Sequence, residues 1–130
     1  MNPAMKAQTR PFVLATPPEL LAHASPQDRA RVDAVLDNIL PVSLRAEGLH
    51  SDSAVGKHLA PSPLESIRTT TLVTSARDDR YRTYASARYT AGRIPGVEFL
   101  EFDDGGHNWF GHHDEMRAAI VELLLPSARP

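Results

Sequence analysis

A chain of 130 residues has room for one domain that buries on the order of two thirds of its unfolded surface. Its 14 basic and 16 acidic side chains are interspersed and sum to −2, which leaves neither a basic stripe for nucleic acid nor a polybasic segment for an anionic membrane. No apolar run approaches the roughly 20 residues that span a bilayer, Phe12-Val13-Leu14-Ala15 is too short for a secretory signal core, and with no cysteine a reduced, cytoplasmic setting is the default expectation.

Met1 to Arg10 carry no periodicity and read as a loose terminus. Thr16-Pro17-Pro18-Glu19 offers an N-cap and prolines suited to a first turn, which predicts a short helix through Leu20 and Leu21 to about Ala24. Ser25-Pro26-Gln27-Asp28 repeats the start signal. Val32, Val35, Leu36, Ile39 and Leu40 then fall at i, i+3, i+4, i+7 and i+8, while Asp28, Arg29, Arg31, Asp33 and Asp37 mostly take the opposite face. Pro41 stops this amphipathic helix. Val42 to Pro63 is polar, with one weak helix expected around Ser53 to Leu59.

The second half alternates strand and helix signals. Thr70 to Thr74 is β-branched or aliphatic, and Ser75-Ala76-Arg77-Asp78-Asp79 turns away from it. Between Tyr81 and Ile94, the residues Tyr84, Ala87, Ala91 and Ile94 keep helical spacing until Pro95-Gly96. Val97, Phe99, Leu100 and Phe102 suit a buried strand, which Asp103-Asp104-Gly105-Gly106 ends abruptly, so that His107 stands just past it. Asn108-Trp109-Phe110-Gly111 reads as a turn. A final helix, capped by His113 or Asp114, turns Met116, Ala119, Ile120, Leu123 and Leu124 inward and ends at Pro126. Strand, helix and strand with such short joins imply a parallel pair with a right-handed crossover, an α/β arrangement. Asp79 and His107 then leave the same carboxyl-terminal edge, where open α/β sheets place their chemistry. One oxygen of Asp79 is free to cap the following helix while the other faces His107.

The string Leu-Val-Thr-Ser-Ala-Arg-Asp-Asp from Leu72, followed by Ile-Pro-Gly-Val-Glu-Phe-Leu-Glu-Phe-Asp-Asp-Gly-Gly-His from Ile94, resembles the last two strands of the α/β-hydrolase fold. That family carries an acid after the penultimate strand, three residues beyond a glycine, and a catalytic histidine after the last strand. The resemblance makes Asp79 the acid, counted from Ala76 in the glycine position, and His107 the histidine; Asp78 stays open as the alternative acid. It implies a partial α/β-hydrolase fold, with residues 1–63 resembling the helical lid many members insert before the penultimate strand and 64–130 forming the C-terminal strand-helix-strand-helix part. An ordinary helical hairpin packed on the sheet is the other reading of 1–63.

Such a hydrolase also needs a nucleophile on a G-x-S-x-G elbow. None of the seven glycines has a serine two positions before or after it. The expectation is therefore a C-terminal segment, a fragment or one partner of a split protein, inactive alone. The complete protein would hydrolyse an ester, amide or C–C bond of a small-molecule substrate without a cofactor. Members with an aspartate nucleophile are dehalogenases or epoxide hydrolases, so the nucleophile type stays open. The strand around Leu72 and Val73 would lack its neighbour, which predicts self-association or a complementary N-terminal chain.

Two other readings compete. One is a non-catalytic interaction module that reuses the fold piece. The other is a metal site built from His107, His112 and His113 with Asp79 or Asp104, whose spacing does not put the histidines on one helical face as H-E-x-x-H does. Trp109, Phe110, Tyr81 and Tyr84 are candidates for a pocket mouth, and Arg68, Arg77, Arg80, Arg82, Arg88 and Arg93 for a solvated face.

Overall fold

The computed structural model describes residues 14–39 and 41–125. Expectations for Met1 to Arg10, Leu40 and Pro126 lie outside these residues. Five α-helices occur among them: α1 (Pro18–His23), α2 (Pro26–Ile39), α3 (Ala46–Gly56), α4 (Thr83–Ala91) and α5 (His113–Leu124). Two strands, β1 (Leu72–Ala76) and β2 (Glu98–Phe102), pair in parallel, and α4 connects them, giving a small α/β arrangement.

The pairing runs from Leu72 opposite Glu98 to Ala76 opposite Phe102. Hydrogen bonds extend it at both ends, from Glu98 N–H to Thr71 O at 3.0 Å and from Arg77 N–H to Phe102 O at 2.9 Å. The second of these keeps the strands together where the two following loops begin. β1 lies about two residues later than Thr70 to Thr74. Its last residues, Ser75 and Ala76, are small and buried, with Ala76 packed beside Phe102 and Met116. Small side chains are what let α5 and the turn come close there, and they carry little strand signal of their own. Helix α4 packs on both strands and is shorter than the span from Tyr81 to Ile94, because Arg82 takes a left-handed conformation ahead of it.

Two apolar clusters hold these parts. Leu14, Val32, Leu36 and Phe110 form one, with Leu21, Ala24 and Val35 against it. Ala76, Phe102 and Met116 form the other, flanked by Leu100 and Trp109. Trp109 and Phe110, adjacent in sequence, thus enter different clusters and anchor the loop after His107 to both.

The face of α2 follows its predicted spacing at Val32, Val35 and Leu36, but Asp28 is buried rather than solvated. Its carboxylate is satisfied locally: Ser25 Oγ donates to Asp28 Oδ2 at 2.7 Å, and Arg31 pairs with Oδ1. Ser25 Oγ in turn accepts Asp28 N–H at 3.0 Å, a reciprocal cap that closes the first turn. Thr16 does not cap α1. Pro17 is the N-cap, and Thr16 Oγ1 donates to Leu14 O at 2.8 Å.

α3 begins seven residues before Ser53, the expected start, and no residue of it is buried. Every side chain described from 43 to 63 is exposed, including Leu44, Leu49, Val55 and Leu59. In α5 only Met116 is buried; Ile120 and Leu124, expected inward, are exposed. His112 is the N-cap residue there, one position before the expected cap.

Replacing Ser25 by alanine removes both halves of the reciprocal cap and leaves the buried Asp28 carboxylate short of a donor. The expected loss is about 1–2 kcal/mol in denaturant unfolding; an unchanged midpoint would contradict the role given to this residue.

Candidate functional site

The acid loop starts where β1 ends. Asp79 N–H donates to Ala76 O at 3.3 Å and Arg82 N–H to Asp79 O at 2.9 Å, two successive turns that aim the Asp79 side chain back over the strand end. After β2, Gly105 and Gly106 both take positive φ, 116° and 61°. A Cβ on Gly106 would fall 2.7 Å from Thr16 Oγ1 and 2.9 Å from Thr16 Cα, so this position requires glycine for conformation and for space. The turn that follows, a 3₁₀ turn at Gly106–Asn108, delivers His107 to the same end of the sheet.

There the two side chains meet. His107 Nδ1 lies 2.9 Å from Asp79 Oδ2. A carboxylate is acceptor only, so Nδ1 carries the proton and the neutral ring keeps its basic lone pair on Nε2. The Asp79 side chain is 2 % exposed and that of His107 is 44 % exposed, a covered acid beside a reachable base. Tyr81 sets its ring edge-on to the imidazole, with centroids 4.8 Å apart.

Asp79 has further donors. Tyr81 N–H donates to Oδ1 at 2.8 Å, and the Thr83 hydroxyl donates to Oδ2. Burial alone would raise the carboxyl pKa, but the hydrogen bonds from Thr83, His107 and the Tyr81 backbone together outweigh it and hold Asp79 below the ordinary carboxylate value. The bond to Tyr81 N–H is a local turn bond and not the expected helix cap, since α4 starts at Thr83 with Arg82 as its N-cap residue.

Asp78 is the residue that the sequence undervalued. It is half-buried, and its Oδ1 accepts Gly106 N–H at 2.8 Å, so it ties the acid loop to the histidine loop while Asp79 faces the ring. A buried strap completes the clamp: Arg80 N–H donates to Ala15 O at 3.0 Å, Asn108 Nδ2 to Leu14 O at 3.1 Å, and Thr16 sits against Gly106. Nothing in the periodicity of Leu14–Thr16 pointed to this role.

A cavity of about 150 Å³ opens beside the pair, lined by Thr74, Ser75, Thr83, Gly106, His107 and Trp109 among others. Thr74 Oγ1 is buried at its wall and has no hydrogen-bond partner among the described residues. A second cavity of about 220 Å³ lies between α2 and the histidine loop, with Val32, Val35, Trp109 and Phe110 in its lining, so that Trp109 borders both. Of the aromatics expected at a pocket mouth, Tyr81 and Trp109 are near the pair. Phe110 is buried in the first cluster, and Tyr84 donates to Glu101 Oε2 at 2.6 Å, a bond that raises the Tyr84 hydroxyl and lowers the Glu101 carboxyl. Arg77 is exposed but paired, with Glu101 at 2.9 Å and Asp103 at 3.1 Å.

The histidines do not converge. His112 stacks on Phe102 and lies 3.0 Å from Asp104 Oδ1, away from the His107 contact with Asp79. Among the described residues no group of three or more His, Asp or Glu side chains has the arrangement to hold a metal ion, and no helix is long and apolar enough to cross a membrane. No family model, curated protein or solved structure matches the chain.

Gly106→Ala should cost roughly 2–3 kcal/mol by forcing Cβ into Thr16 at a positive φ, and should displace the His107 ring resonances; a variant with unchanged stability and ring shifts would contradict the clamp. Because Asp79 is held low in the folded state, its contribution to stability is complete above the unfolded carboxylate value of about 3.9 and is lost as pH falls through the lower folded value. The stability difference between the parent chain and Asp79→Asn should thus shrink as pH falls below about 4; a difference that grows in that acid range would overturn this assignment.

Proposed function

We propose that Asp79 and His107 are the acid and the histidine of an α/β-hydrolase triad, and that the nucleophile comes from residues outside these 130. The observation that supports this reading is the 2.9 Å contact between Asp79 Oδ2 and His107 Nδ1 at the carboxyl ends of two adjacent, in-register parallel strands. The lack of any G-x-S-x-G elbow in the sequence is what assigns the nucleophile elsewhere.

In this reading His107 Nε2 takes the proton of the nucleophile as it attacks the substrate carbonyl. Asp79 holds the ring in the Nδ1–H tautomer and stabilises the imidazolium that forms. The same proton then goes to the leaving group, and a water activated by Nε2 completes hydrolysis of an ester, amide or C–C bond in a small-molecule substrate. An exposed base on a covered acid suits a histidine that has to meet a nucleophile from another segment. The exposed Leu44, Leu49, Val55 and Leu59 supply apolar surface for a lid over a substrate. The same four residues favour a second reading, in which the chain is a non-catalytic interaction module or one subunit of a split protein and turns this surface towards another chain or a second copy.

A fluorophosphonate probe should leave the 130-residue chain unlabelled. Mixing with an upstream chain that carries a strand, G-x-S-x-G and a helix should bring labelling of that chain's serine, and His107→Ala should lower the labelling rate by about 10³-fold or more. Labelling of the chain alone, or labelling of the mixture that survives His107→Ala, would sink the proposal. Failure of every such mixture, together with stable binding to it, would favour the interaction module.

A further inference from the structure

The hydroxyls behind the acid form a directed chain. Thr83 Oγ1 has one proton, and it goes to Asp79 Oδ2, because an ionised carboxylate has none to give. Ser75 Oγ lies 3.2 Å from Thr83 Oγ1, where either oxygen is able to donate in isolation. With the Thr83 proton committed, Ser75 is the donor. The order is therefore Ser75 to Thr83 to Asp79, and His107 donates to the same Asp79 oxygen.

The placement of these groups is built into the fold. Ser75 is buried near the end of β1, and Thr83 is the first residue of α4. The helix start is thus pinned to the strand through the same hydroxyl that reaches the acid. Without Thr83 the carboxylate would keep Tyr81 N–H on one oxygen and His107 on the other, and the soft torsion at the carboxylate would be fixed by two donors only. Donors in series also polarise one another, which strengthens the last bond in the chain.

We propose that Thr83 is a positioning residue for the Asp79–His107 pair, holding the carboxylate oxygen that faces the imidazole, and that Ser75 supports Thr83 in this role. The proposal rests on the reading of Asp79 as the group that orients His107, and it adds a residue that acts through the carboxylate.

The test compares the full chain with Thr83→Val, Thr83→Ser and Asp79→Asn by nitrogen-15 spectra of the His107 ring above its protonation range and by carbon-13 titration of the Asp79 carboxyl. Valine keeps the branched shape at the helix start and removes only the hydroxyl. It should lower the Nδ1–H share of the His107 ring and move the Asp79 titration upward, towards the ordinary carboxylate range, since the hydrogen bond that Thr83 contributes to holding it down is gone. Serine should restore both readouts, which a merely structural role for Thr83 in starting the helix would not require. Should the valine variant fail to fold, Ser75→Ala should move both readouts the same way by a smaller amount. Unchanged readouts in a folded valine variant, or a serine variant that behaves like valine, would overturn the proposal while leaving the acid and histidine intact. If Asp79→Asn itself leaves the tautomer unaltered, the pairing beneath both ideas falls.

Discussion

The hydrogen bond from His107 Nδ1 to Asp79 Oδ2 joins residues 28 positions apart, and much of the second half of the chain is arranged so that it forms. It needs two strands in parallel, since an antiparallel pair would send the two loops to opposite ends. It needs Ala76 opposite Phe102, so that the loops leave at the same height. It also needs a sharp reversal after β2, which the positive φ angles of Gly105 and Gly106 provide. Each requirement is met by local chemistry: a β-branched or aromatic strand, a short helix between, and a pair of glycines.

Putting a carboxylate at such a place costs several kcal/mol of desolvation unless its lone pairs are occupied. Asp79 has Tyr81 N–H, the Thr83 hydroxyl and His107 Nδ1, and this set holds its carboxyl below the ordinary value where burial alone would raise it. The other buried acid, Asp28, follows the same rule with Ser25 and Arg31 as partners. The contrast lies in what the partners leave open. Asp28 is closed on its own helix turn, whereas Asp79 reaches another loop and a ring that remains 44 % exposed. Thr74 Oγ1, buried on the same cavity with no hydrogen-bond partner among the described residues, adds a polar group that an occupant of that space would be able to satisfy.

The pairing of Asp79 with His107 was legible in the sequence because both signals are local: strand residues followed at once by turn residues. The α2 face was legible for the same reason, through the spacing of Val32, Val35 and Leu36. What escaped were the contacts between distant segments. Thr16 looked like a helix cap and is instead wedged against Gly106, 90 residues later. Asp78 stood only as an alternative acid because its partner is a backbone N–H in the other loop. Ser75 and Ala76 lacked strand character because tertiary contacts, not propensity, hold them, Ala76 beside Phe102 and Met116 and Ser75 against Thr83. Ile120 and Leu124 kept helical spacing yet face solvent, since spacing reports which residues share a face and not whether anything covers it.

A double-mutant cycle between Asp79 and His107, read from the unfolding free energies of Asp79→Ala, His107→Ala and the double variant near neutral pH, tests most directly whether the two side chains act as a unit. A coupling of about 1 kcal/mol or more, with the second substitution costing less once the first is made, is the predicted result. Costs that add to within roughly 0.3 kcal/mol would mean that the two groups do not feel each other, and the account of the site would not survive.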